Sequence, residues 1–200
     1  MRAIVTAQES EEGVRWGALA GGTILLIASF ALAARAQPWI FLDWLNLAFH
    51  EAGHIFLLPF GETLHFLGGT LFQLAIPAVV AVHFWRRDSQ VGASACLWWV
   101  GQNCLGISVY MADARELKLP LVGGGENDWN HLFYQWGLLG EDSVRRIAWL
   151  THTAGVAMML AGSLAAVFLA LPPGTRRSLA HVVMLRSGAG PRAAAAQSTK

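Results

Sequence analysis

Residues 47–60 read LAFHEAGHIFLLPF, so three ionisable groups, His50, Glu51 and His54, stand in an otherwise apolar run. On a helix, positions i and i+4 share one face. His50 and His54 would then aim both imidazoles at one point and could hold one metal ion. Glu51 reaches the edge of that point, where it could take a proton from water that the ion activates. Zinc is the usual metal for such a helix: it accepts neutral imidazole at about 2.0 Å and brings the pKa of a water ligand to about 7. With 7 His in 200 residues, this five-residue pattern arises by chance in roughly 1% of such sequences. Ionisable groups inside a membrane are costly and usually functional, which favours one bound metal over packing.

A catalytic zinc needs a third protein ligand and an open position. Asp113, Asp128, His131 and His152 are the candidates. Asp113 ends a helix beside Arg115, as a solvated pair would, and His152 lies inside the last helix with no charged neighbour. Asp128 and His131 are i and i+3 behind a run of glycines, so both could face the site. On the metal helix, Asn46 precedes His50 by one turn and could orient an imidazole or bond a neighbouring helix. Asp43 shares that face near the expected membrane edge, where solvation would also explain it.

The elements that must position these residues follow from composition. The chain is 54% apolar and only 14% charged, against about a quarter charged in soluble proteins. Charge-free stretches of 19, 23, 24 and 29 residues lie at 16–34, 63–85, 89–112 and 147–175. As a helix, each approaches or exceeds the roughly 20 residues that cross a bilayer. The expected fold is all-α: a polytopic membrane bundle of about five transmembrane helices near 16–35, 39–60, 64–85, 91–112 and 146–172. A re-entrant or half-helix segment within 113–145 completes it. There a glycine hairpin would lead into a half-helix starting at Asn127 or Asp128, either serving as its N-cap. Residues 1–15 form a polar N-terminus, 16–172 one membrane-embedded domain, and 173–200 a basic, disordered tail. Ala31-Leu32-Ala33 resembles a signal cleavage site, but the long apolar run and the acidic residues before it favour an uncleaved helix.

A net charge of +1 carries no nucleic-acid footprint. The expected partners are the lipid bilayer and a membrane protein or peptide substrate. The expected location is multi-pass in a bacterial-type cytoplasmic membrane, with the arginine-rich tail inside. Cys96 and Cys104 lie eight residues apart on one helix, about 12 Å, too far to bridge each other. Trp98, Trp99, Trp129, Trp136 and Trp149 are expected at the membrane interface. His65, His83 and His181 are expected in solvent, and Gln102, Asn103 and Ser108 in bonds between helices.

Three segments resemble the site-2 protease family of intramembrane zinc metalloproteases. His50-Glu51-Ala52-Gly53-His54 within a membrane helix is the first. LGGTLFQLAIP (67–77) is similar to the glycine-containing segment that follows the family's metal helix, and LPLVGGGENDW (119–129) looks like its later Leu-Asp-Gly segment. The likeness spans roughly residues 40–140. It implies that His50, His54 and Asp128 bind zinc and that Glu51 is the general base. Gln73 stands where the family often has an asparagine thought to help hold the substrate strand. The glycines here precede the aspartate, and the family's peptide-binding insert is absent. The implied activity is peptide-bond hydrolysis inside the bilayer, on a substrate helix that must first unwind. Gly68-Gly69 and Gly123–Gly125 would permit close approach of its backbone, or simply serve packing and a turn. The same metal and glutamate would also serve a hydrolase of lipid amides. A metal kept for structure or partner binding is the non-catalytic alternative.

Overall fold

The computed structural model describes residues 13–35, 39–121 and 126–186. Seven α-helices and one 3-10 turn make up its regular structure, with no strand among the described residues. They are α1 (Trp16–Ala33), α2 (Leu42–Leu57), the turn Leu58–Phe60, α3 (Glu62–Arg86), α4 (Gln90–Ala112), α5 (Asp128–Gln135), α6 (Glu141–Ala170) and α7 (Pro173–Arg186). The all-α expectation holds. Three of the helices, α1, α3 and α6, are long and apolar enough to cross a membrane, rather than five.

Of the other two expected spans, one falls short in length and the other in apolar character. α2 has 16 residues and carries Asp43, Asn46, His50, Glu51 and His54. α4 has 23 residues, but Gln102 and Asn103 interrupt its apolar run and are fully enclosed. Both helices turn most of these polar groups inward against protein, while Glu51 stays exposed. The outer faces are apolar instead: Ile24, Ile27 and Phe30 of α1 and Val79 and Val82 of α3 are exposed.

Small residues set the helix spacing. On α4, Gly101 meets Gly155 of α6, and Gly162 of α6 lies against the backbone of Ser94 and Trp98. Gly22 of α1 packs on Val167 of α6. Polar contacts stitch the same layer: Ser29 and Ser163 hydroxyls are 3.2 Å apart, and the Trp98 indole donates to Ser29 Oγ at 3.0 Å. Trp98 and Trp129 are therefore core residues, whereas Trp136 and Trp149 are exposed.

α2 and α3 form a tight helical hairpin. The 3-10 turn carries Pro59, and Gly61 takes φ +99°, a backbone setting that glycine adopts without a Cβ clash. The two helices then cross so closely at Gly53 and Gly68 that a Cβ on Gly53 would stand 2.1 Å from the Gly68 carbonyl oxygen. Gly53→Ala is thus expected to lower stability by about 1–3 kcal/mol, because backbone rather than a flexible side chain blocks the methyl. Thermal unfolding in detergent measures this, and an unchanged melting temperature would refute it.

α5 is the expected half-helix, with Asn127 as its N-cap: Asn127 Oδ1 accepts from Asn130 N at 2.9 Å. The start of the basic tail, expected to be disordered, is instead α7, with Pro173 at its first position, where a missing N–H costs nothing. The expectations for residues 1–12, for Gly123–Gly125 and for 187–200 lie outside the described residues.

Candidate metal centre

The hairpin and the half-helix together assemble the site. α2 presents His50 and His54 on one face, and α5 brings Asp128 against them. Asp128 Oδ2 lies 2.9 Å from His50 Nε2 and 3.4 Å from His54 Nε2. One ligand atom from each residue falls within 4.8 Å of the others, a group that could hold a metal ion. For bonds of about 2.0–2.1 Å in a tetrahedron, ligand atoms stand about 3.3–3.4 Å apart; the His54–Asp128 distance matches this and the His50–Asp128 distance is shorter.

Hydrogen bonding behind the rings supports the same fit. His54 Nδ1 donates to the carbonyl oxygen of His65 at 2.8 Å. A carbonyl only accepts, so Nδ1 carries the hydrogen, and in the neutral ring Nε2 turns a lone pair toward Asp128. His50 Nδ1 lies 3.2 Å from Gln73 Oε1, which fixes its ring in the same sense. Two imidazole nitrogens and a carboxylate therefore converge, an arrangement that could hold a cation among them. Gly69 leaves the room: a Cβ there would meet the His50 ring at 2.5 Å.

The other candidates are placed elsewhere. His131 pairs with Glu62 at 3.3 Å and Glu126 at 3.7 Å and stacks on Phe66. Asp113 accepts from the backbone N–H groups of Lys118 and Leu119, so it closes a turn rather than pairing with Arg115. His152 Nδ1 lies 3.5 Å from Ser108 Oγ. None of these three joins the convergent group.

Asn46 bonds a neighbouring helix and not an imidazole. Its amide donates to Asp43 Oδ1 and Gln102 Oε1, and its oxygen accepts from the Trp99 indole at 2.7 Å. Asp43 is only 5% exposed, which excludes solvation as its explanation. Ile40 N–H at 2.6 Å and Gln102 Nε2 at 2.8 Å satisfy its carboxylate further. This network ties α2 to α4 on the Trp99 side of the metal triad. Of the expected interhelical bonders, Gln102 makes such bonds, whereas Asn103 donates to Trp99 O within its own helix. Gly68 and Gly69 serve helix packing and the His50 ring, which removes them as a surface for substrate backbone.

Two residues escaped the sequence reading. His65, expected in solvent, uses its own Nδ1 to donate to His54 O at 3.1 Å, so the two histidines brace each other across the hairpin. The signal was available: Pro59 and Gly61 announce a reversal that sets 54 opposite 65. Tyr110 on α4 accepts the Asp128 N–H at 3.1 Å, a contact that no local pattern announces.

A cavity of about 620 Å³ opens onto the triad between α2 and α4. Glu51, His65, Gln73 and Tyr110 line it together with the triad, and Leu47, Ile107, Val109 and Leu121 make its walls apolar. Glu51 is exposed within this space, as a base must be to reach a water or substrate. No protein-family model, curated protein or solved structure matches the chain. The functional reading accordingly rests on the site itself and on the motif resemblance.

Proposed function

We propose that this chain is a multi-pass membrane zinc metalloprotease, a divergent member of the site-2 protease family, that hydrolyses a peptide bond within the bilayer. The observation that carries the reading is the convergence of His50, His54 and Asp128 beside Glu51 on one largely apolar cavity. In this reading α2 and α4 also span the membrane, raising the count to five, and α5 is a half-helix held at depth. Asp43, Asn46 and Gln102, among their most enclosed polar residues, are satisfied by protein, as such segments need in lipid. The location proposed is a bacterial-type cytoplasmic membrane, with the basic tail inside.

A zinc ion held by the two imidazoles and Asp128 would polarise the scissile carbonyl and acidify a water molecule. Glu51 takes the proton of the attacking water as its oxygen bonds to the carbonyl carbon, then passes it to the amine nitrogen as the C–N bond breaks. His65 O and Gln73 hold the imidazoles in the orientation that leaves Nε2 free. The apolar walls hold a locally unwound stretch of substrate and limit water; the cavity volume falls within the about 300–1,000 Å³ of ordinary ligand sites.

The test is cleavage of a helical membrane peptide by the purified protein in detergent. Cleavage should stop on chelation and return with added zinc. Release of fatty acid from a lipid amide, with the peptide intact, would select the lipid hydrolase instead. Bound zinc with neither substrate turned over would leave only a binding role.

A further inference from the structure

Peptide hydrolysis puts negative charge on the carbonyl oxygen, and a site gains most by aiming a donor at it. Yet the cavity is rich in acceptors: Glu51, Glu126 and Asp128 carboxylates face it. Among the described residues that line it there is no Lys, Arg, Ser or Thr. The Asn46 amide is committed to Asp43 and Gln102. His65 spends its Nδ1–H on His54 O, so in the neutral ring its other nitrogen has none to give.

Gln73, Trp39 and Trp44 also bring N–H groups to the lining, and Tyr110 brings a hydroxyl, placed at the Asp128 backbone. Its oxygen accepts the Asp128 N–H at 3.1 Å, and its ring stands edge-on to His50 with centroids 6.2 Å apart. An N–H pointed into a phenol oxygen polarises its O–H and makes it a stronger donor. Tyr110 comes from the α4 wall of the cavity and Glu51 from the α2 wall, so a substrate strand between them would meet a donor on one side and the base on the other.

We propose that Tyr110 is a catalytic residue of the hydrolysis, donating its O–H to the oxygen of the scissile carbonyl as charge develops there. This rests on the hydrolytic reading above. A metal held by His50, His54 and Asp128 would occupy the carboxylate, and the Tyr110 hydroxyl, whose oxygen accepts the Asp128 N–H, would be left to donate its hydrogen to the substrate oxygen. No proton is transferred; the hydrogen bond strengthens in the transition state and weakens again when the C–N bond breaks.

The experiment compares wild type and Tyr110→Phe, full chain in detergent. It measures the zinc dissociation constant by chelator competition, and the affinities of a phosphonamidate membrane peptide and its amide counterpart. The phosphonamidate mimics the tetrahedral anion and the amide does not. The Phe variant should hold zinc within about threefold of wild type, whereas loss of a mere ligand-orienting partner costs about 10–100-fold. Its phosphonamidate affinity and kcat should each fall about 100-fold, with amide binding and KM unchanged. Equal phosphonamidate affinity in the two proteins overturns the proposal. So does a Phe variant that loses zinc, which would make Tyr110 a holder of Asp128 only. A wild type that binds zinc but prefers the amide or neither ligand defeats the hydrolytic reading itself, and this proposal with it.

Discussion

Asp128→Ala is expected to lower zinc affinity by about 10²-fold or more, while His131→Ala, Asp113→Ala and His152→Ala keep it. Structural zinc sites bind with about 10–16 kcal/mol, so one ligand of three or four represents roughly 3 kcal/mol. At about 1.4 kcal/mol per factor of ten, that is about a hundredfold. The specificity of the expectation comes from geometry: Asp128 Oδ2 is the oxygen within 3.4 Å of both imidazole Nε2 atoms. His131, by contrast, already has two carboxylates as partners. Metal content after purification, followed by competition with a chelating dye, measures the change. Zinc retained in Asp128→Ala and lost in His131→Ala would relocate the centre to the other face of α5.

Glu51→Gln should abolish turnover and leave the metal in place. The amide keeps the size of the glutamate but exchanges one acceptor oxygen for an NH2 donor and cannot take a proton, and loss of a general base costs about 10²–10⁴-fold in rate. Glu51 is not among the atoms that converge on the metal position, so zinc affinity should stay within a few-fold. Parallel measurement of zinc content and peptide cleavage gives the answer. A variant with full activity would reassign the base, and one with no zinc would make Glu51 a ligand.

The residues of the site were largely legible in order along the chain. The i, i+4 histidines and the intervening glutamate depend only on helical periodicity, and α2 is a helix through that stretch. Asn127 and the glycines before it announced where α5 begins, and α5 starts at Asp128. The number of membrane-length helices was less legible. α2 and α4 carry polar residues whose partners are on other helices, so hydropathy alone cannot tell an inward-facing span from an element that stops short. The helical start of the tail was missed because a run without strong periodicity reads as coil, although Pro173 favours the first turn of a helix.

Local sequence thus determined which groups could act as ligands and base, because side-chain chemistry and the 3.6-residue repeat are properties of the chain itself. Tertiary structure decided the rest. It chose Asp128 over His131 and gave His65 and Gln73 the task of turning the imidazoles. It converted Gly68 and Gly69 from a path for substrate into a helix crossing, and it brought Tyr110 to the Asp128 backbone. These contacts join residues 11 to 78 positions apart. Spacing along one helix constrains neighbours within a turn or two, and how separate helices cross is fixed only by the way their surfaces pack.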